Sequence, residues 1–258
     1  MPTWDARNFL VRATLLREKV TSFTDYPFSI PAIGGLDTIE FDRPVTFFVG
    51  ENGAGKSTLL EAIAIGMGLN PEGGSRNFRF ATRESHSGLS KVLRLSRSVR
   101  RVRDSYFLRA ESYFNLATEI EALDREPGGP PIIDAYGGKS LHEQSHGESF
   151  FSLFMHRLRG NGLYFFDEPE AALSPTRQLS FLSRLHDLVK EGSQFLIATH
   201  SPILLAYPDA AIHVLDDGPP RRIEYRDTEH YGVTRTFLND TERMLDILLD
   251  REPDRQAP

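Results

Sequence analysis

"GENGAGKS" occupies residues 50–57, and the rest of the chain is read outward from it. It fits G-x-x-x-x-G-K-[ST] at every fixed position. Before it runs "PVTFFVG" (44–50), apolar apart from Thr46, as a strand buried on both faces requires. After it comes "KSTLLEAIAIGMG" (56–68), with apolar residues at helical spacing. A strand, a glycine-rich turn and a helix N-terminus together form an anion cradle. The glycines let successive N–H groups face inward, and the helix dipole adds positive potential. Gly50, Glu51, Asn52, Gly53, Ala54 and Gly55 are therefore expected to wrap nucleotide phosphates. Lys56 would reach the β- and γ-phosphates. Ser57 would place its hydroxyl on Mg²⁺, with Thr58 beside it.

A second motif completes the chemistry. "LYFFDEP" (163–169) puts two carboxylates at the tip of an apolar strand. Asp167 is placed to hold Mg²⁺ through water, and Glu168 to orient or deprotonate the attacking water. Phosphoryl transfer needs positioned charge and a positioned nucleophile rather than covalent help. An Asp-Glu-Pro run alone also suits a plain turn; beside the phosphate loop it reads as catalytic.

Other apolar runs bounded by turn residues read as strands: "QFLIATH" (194–200), "AIHVLD" (211–216), "RRIEYRD" (221–227) and, less clearly, "SYFLRAES" (105–112). Helical spacing recurs in "ESFFSLFMHRLR" (148–159), "PTRQLSFLSRLHDLVKEG" (175–192) and "TERMLDILLDRE" (241–252). This alternation predicts an α/β fold of the P-loop NTPase kind, a mostly parallel sheet with helices on both faces. Residues 121–140 are rich in Gly and Pro and read as a connecting loop. Residues from about 70 to 145 read as a basic, partly helical lobe inserted into one domain spanning 1–258.

The composition agrees with a globular chain: 258 residues, 40% hydrophobic, 26% charged, ample for a core. There is no cysteine, which excludes a disulfide scaffold, a Cys-based zinc site and a cysteine nucleophile. It also suits a reducing cytoplasm, the expected location. No apolar run is long enough to span a bilayer, and charges interrupt the N-terminus where a signal peptide would be apolar. The net charge of −6 does not favour nucleic acid overall. Residues 74–109 depart from this balance, with ten basic side chains against Glu84 and Asp104. That stretch is either a solvated face or a docking surface for an anionic partner.

Taken together, "GENGAGKST", "LYFFDEPEAALSP" and "IATHSP" (197–202) resemble the ABC-type ATPase family. The resemblance implies that His200 contacts the γ-phosphate. It also implies that "AALS" (171–174) crosses a dimer interface, with Ser174 where many relatives have Asp. "QSHGES" (144–149) lies where the family signature L-S-G-G-Q is expected and keeps Ser145 and Gly147. Those two residues would then touch ATP held by the other subunit of a homodimer, with Ser145 capping the following helix. His146 and Glu148 depart from the pattern. Relatives carry a Gln that touches Mg²⁺ and water; by position Glu111 or Ser112 would replace it. They also stack an aromatic on adenine, for which Tyr26 or Phe28 stands at the right distance, as core residues equally could.

Glu170, Ala171 and Ser174 lean towards the SMC-like, RecF-like and overcoming-lysogenization-defect-type branches rather than transporter subunits. The stretch between Lys56 and Ser145 leaves no room for long coiled-coil arms, and that after His200 none for an appended nuclease. The expectation is a compact ATPase head, an ATP-driven switch on DNA, RNA or a partner protein. A subunit energising a membrane transporter and a non-hydrolysing nucleotide-binding scaffold are the alternatives.

Overall fold

A computed structural model describes residues 8–71, 73–75, 87–109 and 146–251 of the chain. Its strands are β1 (Leu10–Leu15), β2 (Thr38–Glu40), β3 (Val45–Val49), β4 (Gly74–Ser75), β5 (Leu93–Arg97), β6 (Asp104–Arg109), β7 (Gly162–Asp167), β8 (Gln194–Ala198), β9 (Ala211–Val214) and β10 (Arg221–Ile223). The helices are α1 (Pro31–Gly34), α2 (Lys56–Gly66), α3 (Leu89–Val92), α4 (His146–His156), α5 (Pro175–Lys190), α6 (Pro202–Leu205), α7 (Glu229–Asn239) and α8 (Thr241–Leu248).

Among the described residues, seven strands form the main sheet in the order β10-β9-β3-β8-β7-β6-β4. The five inner strands pair in parallel, and the two edge strands are antiparallel. The apolar runs explain why. β3, β7 and β8 are buried at every position, so both faces must be covered. Alternation assigns the faces. Phe47, Tyr164, Phe166, Phe195 and Ile197 enter one core with α4 and α5, where Phe154 stacks on Phe181 at 4.0 Å between ring centroids. Phe48, Leu163, Phe165, Leu196 and Ala198 enter the other, around α2.

A small antiparallel sheet, β2-β1-β5, closes the second core from outside. The N-terminal segment looks charge-interrupted in sequence because β1 is amphipathic: Leu10, Ala13 and Leu15 are buried and Arg12 is exposed, with a register irregularity between Leu10 and Arg12 that breaks the strict alternation. One side chain clips the two sheets together. Buried Gln194 accepts hydrogen bonds from the N–H groups of Phe9 and Leu10, both at 2.9 Å, and donates to Leu10 O.

Pairing ties part of the expected lobe into the sheets. β5 and β6, expected in the insertion, belong to the sheets: β5 pairs with β1, and β6 lies between β4 and β7. The apolar side chains of Tyr106, Phe107 and Leu108 leave β6 no choice but the interior. Of that expected lobe, residues 72, 76–86 and 110–145 lie outside the described residues.

Candidate nucleotide site

Register brings the chemistry to one edge of the sheet. Phe48 and Asp167 are both level with Ala198, and Arg109 is level with Asp167. The loops that follow β3, β7 and β8 therefore leave at the same height, at the carboxyl ends of neighbouring parallel strands, where open α/β sheets bind ligands.

The phosphate loop has the conformation its glycines permit. Gly53 and Gly55 sit at φ 84° and 95°, the left-handed region. Gly50 stands so close to the next strand that an added Cβ would lie 2.1 Å from Leu215 O. α2 begins directly after Gly55, so its N-terminus faces the loop. Lys56 is buried and curls back, its Nζ donating at 2.9 Å to the carbonyls of Gly50 and Glu51. Burial pushes its pKa down, while Glu168, Asp167 and Glu170 oppose that push. Glu51, Asn52 and Gly53 are exposed at the rim.

Ser57 and Asp167, the two residues expected to hold Mg²⁺, meet: Ser57 Oγ donates to Asp167 Oδ1 at 2.8 Å. A hydroxyl and a carboxylate are hard oxygen donors of the kind Mg²⁺ selects, and they leave positions for phosphate and water, so the pair fits the ion. The other Asp167 oxygen faces Arg109 Nε at 3.6 Å, and Arg109 also bonds Glu61 Oε2 at 2.6 Å. Sequence reading placed Arg109 in the basic lobe; its seat beside Asp167 follows only from the β6–β7 register.

Glu168 takes φ 50° just after β7, and its carboxylate is partly exposed. His200 Nε2 stands 3.7 Å from Glu168 Oε1 and makes no hydrogen bond. Its Nδ1 lies 3.0 Å from His230 Nε2, on α7. Burial lowers the pKa of both imidazoles, so both are neutral near pH 7. The loop carrying His200 is anchored by Glu170, which accepts from the His200 N–H and from the Thr199 hydroxyl. Burial raises the Glu170 pKa, against the pull of these donors. Glu170 and His230 were not singled out for this site from sequence. Glu170 sits among other acidic residues, and His230 lies in a helix with no marked motif.

The remaining expectations divide. Tyr26 is exposed, with its hydroxyl 3.2 Å from Thr58 Oγ1, whereas Phe28 packs edge-on against Phe23 and joins the core. Gly147 falls in the first turn of α4, which starts at His146 rather than at about 148. Ser145, Glu111 and Ser112 lie outside the described residues. Ser174 caps α5, accepting from Arg177 N.

Two AAA-domain family models match the chain. One, described simply as an AAA domain, covers residues 29–124. The other, an AAA domain associated with the AbiEii toxin and type IV TA systems, covers 98–206. An ATP-binding cassette of an ABC transporter superposes with a TM-score of 0.50 at 17% identity, over 92% of this chain and 98% of that one. The chain has the fold of an ABC-type ATP-binding cassette. The SMC head domain from Thermotoga maritima aligns at 16% identity with a TM-score of 0.44, covering 84% of this chain and 99% of that one. A Medicago truncatula protein, ABC transporter G family member STR2, is 28% identical over 172 residues, 61% of this chain. The chain spans about a quarter of that relative's length. This ABC-type ATPase fold has no helix, among the described residues, long and apolar enough to cross a membrane.

Proposed function

We propose that the chain binds and hydrolyses ATP, and that it does so as an ATP-sandwiched homodimer. The observation that carries this reading is the Ser57–Asp167 contact, which joins the phosphate loop to the acidic strand end beside buried Lys56. Mg²⁺, held by Ser57 and Asp167, would neutralise the phosphate oxygens. Lys56 exchanges its loop carbonyls for β- and γ-phosphate oxygens. Glu168 orients the attacking water and takes its proton. His200 Nε2, which has no other hydrogen-bond partner, donates to the γ-phosphate. The second subunit supplies Ser145 and Gly147, and two-fold symmetry makes the contacts isologous.

Glu168→Gln tests this directly. It should bind ATP with unchanged affinity, lose turnover by about 10²- to 10⁴-fold and accumulate as a dimer in light scattering. A variant that stays monomeric with ATP sinks the sandwich, and one that turns over normally sinks the site.

The task proposed for this ATPase is a switch acting on nucleic acid or on a partner protein. Two observations favour the protein. Several basic side chains of the 74–109 stretch are engaged within the fold. Arg97 bonds Gly66 O, Arg100 bonds Asn161 and lies over the Phe9 ring, and Arg109 pairs with Glu61. An apolar groove of about 400 Å³ between α5, α6 and α7, lined by Leu179, Ile203, Tyr231 and Leu238 among others, also suits a protein partner. ATPase stimulation by DNA or RNA at low salt, lost on adding salt, would instead establish the nucleic-acid version. The alternative, a subunit energising a membrane transporter, draws support from the likeness to STR2. Co-purification with a multi-span membrane protein would establish it.

A further inference from the structure

The His200 ring meets His230 Nε2 at 3.0 Å through Nδ1 and Glu168 Oε1 at 3.7 Å through Nε2, and the first contact constrains where its proton sits. Two neutral imidazoles 3.0 Å apart share one proton: one nitrogen donates and the other accepts. If His200 Nδ1 donated, its Nε2 would present a lone pair to Glu168 Oε1 at 3.7 Å and to any phosphate bound above the loop. Two acceptors facing each other in a partly buried site repel. If His230 Nε2–H donates instead, His200 carries its proton on Nε2, facing the carboxylate and the phosphate position. The surroundings favour this second arrangement.

We propose that His230 is a positioning residue that holds His200 in the Nε2–H tautomer and so aims its donor at the γ-phosphate. This deepens the ATPase reading of the same site and rests on it for its catalytic consequence. The fold supplies the means. His230 lies in the first turn of α7, whose start is fixed by Thr228, the N-cap that accepts from Tyr231 N. The segment leading into α7 is tied to the switch loop itself, because the Tyr225 hydroxyl donates to Pro202 O at 3.0 Å. The Tyr225 and Tyr231 rings pack 4.7 Å apart between these anchors. Glu170 thus grips the His200 backbone from one side, and α7 grips its ring from the other. A shift of α7 would therefore alter the proton donor of the nucleotide site without touching nucleotide.

Four variants and one spectroscopic reading test the assignment. His230→Phe keeps a ring and removes the donor; His230→Gln keeps an N–H donor of similar reach. His230→Phe should lower kcat by about 10- to 100-fold, the usual cost of losing the group that orients a functional imidazole, with ATP affinity within about threefold. His230→Gln should recover most of kcat. Combining His230→Phe with His200→Ala should add nothing to His200→Ala alone, because the two act as one unit. In the nucleotide-free protein, nitrogen-15 shifts of the His200 ring should report the Nε2–H tautomer, and a mixed population in His230→Phe. The proposal is overturned if His230→Phe leaves both kcat and the His200 tautomer unchanged, or if His200 is found protonated on Nδ1. A wild-type chain that binds ATP without turning it over would overturn the ATPase reading instead, and the tautomer measurement would still decide the role of His230.

Discussion

The Ser57 hydroxyl donates a 2.8 Å hydrogen bond to Asp167 Oδ1 across 110 positions of chain. The helix that opens the phosphate loop and the strand that ends in the acidic pair are thereby joined at the point where Mg²⁺ is proposed to sit. Asp167→Asn keeps the shape and can keep the bond to Ser57, but it removes the charge. The expected outcome is intact folding, a Mg²⁺ requirement raised at least about tenfold, and turnover at saturating Mg²⁺ lowered on the order of 10²-fold. Mg²⁺ titration of ATPase activity measures both. An unaltered titration would remove Asp167 from the metal site.

Arg109 faces Glu61 at 2.6 Å and Asp167 at 3.6 Å, and all three are largely shielded from solvent. Arg109→Met should leave two carboxylates without their shared cation. Removing one partner of a buried ion pair costs about 3–5 kcal/mol, and the partial exposure of Arg109 puts the expected loss at the low end of that range. The check is the urea midpoint, with the slope unchanged, so that a lower midpoint reports stability rather than a change in the unfolded chain.

Gln194 satisfies two backbone N–H groups and one carbonyl of the β1 segment from inside the main sheet. Gln194→Leu conserves volume but strands those groups in an apolar surround. At about 1–3 kcal/mol for each unsatisfied buried group, with partial relaxation, the expected loss is about 3 kcal/mol or more. Amide exchange at Phe9 and Leu10 should accelerate before the rest of the sheet. Unchanged protection there would show that the small sheet is held by packing alone.

His213 is buried beside Phe48 and Arg222, with no partner for its Nε2. Burial, followed by Arg222, pushes its pKa down to about 4, with Asp42 opposing. The unfolded chain binds its proton near pH 6.5 and the folded chain does not, so stability is full above that value. It is lost as pH falls from 6.5 towards 4, by up to about 3 kcal/mol. His213→Phe should flatten this acid limb. Unfolding free energies at pH 7 and pH 5 would show it, and an equal acid loss in the variant would assign the limb to other groups.

How much of this could be read in advance depends on the residue. The fully buried runs of β3, β7 and β8 announce themselves, because a strand covered on both faces has no polar side to disguise it. β1 and β5 were hidden, since an exposed antiparallel sheet alternates and its Arg residues resemble solvated surface. Arg97, Arg100 and Arg109 looked like a basic face. Only their partners at Gly66, Asn161 and Glu61, far away in sequence, show them as internal ties.

The sequence by itself determined the glycine-rich turn before α2 and the acidic end of β7, and it marked His200 as a candidate, because each is a local pattern in which backbone conformation and side-chain chemistry are set by neighbouring residues. Gly50 to Ser57 form a cradle wherever a strand precedes them and a helix follows. Tertiary structure alone decided which distant groups meet there. Arg109 reaches Asp167 because β6 pairs with β7 in one register. His230 reaches His200 because Tyr225 and Thr228 seat α7 against the switch loop. Such contacts depend on packing between elements remote in the chain, and a pattern along the chain carries no record of that distance.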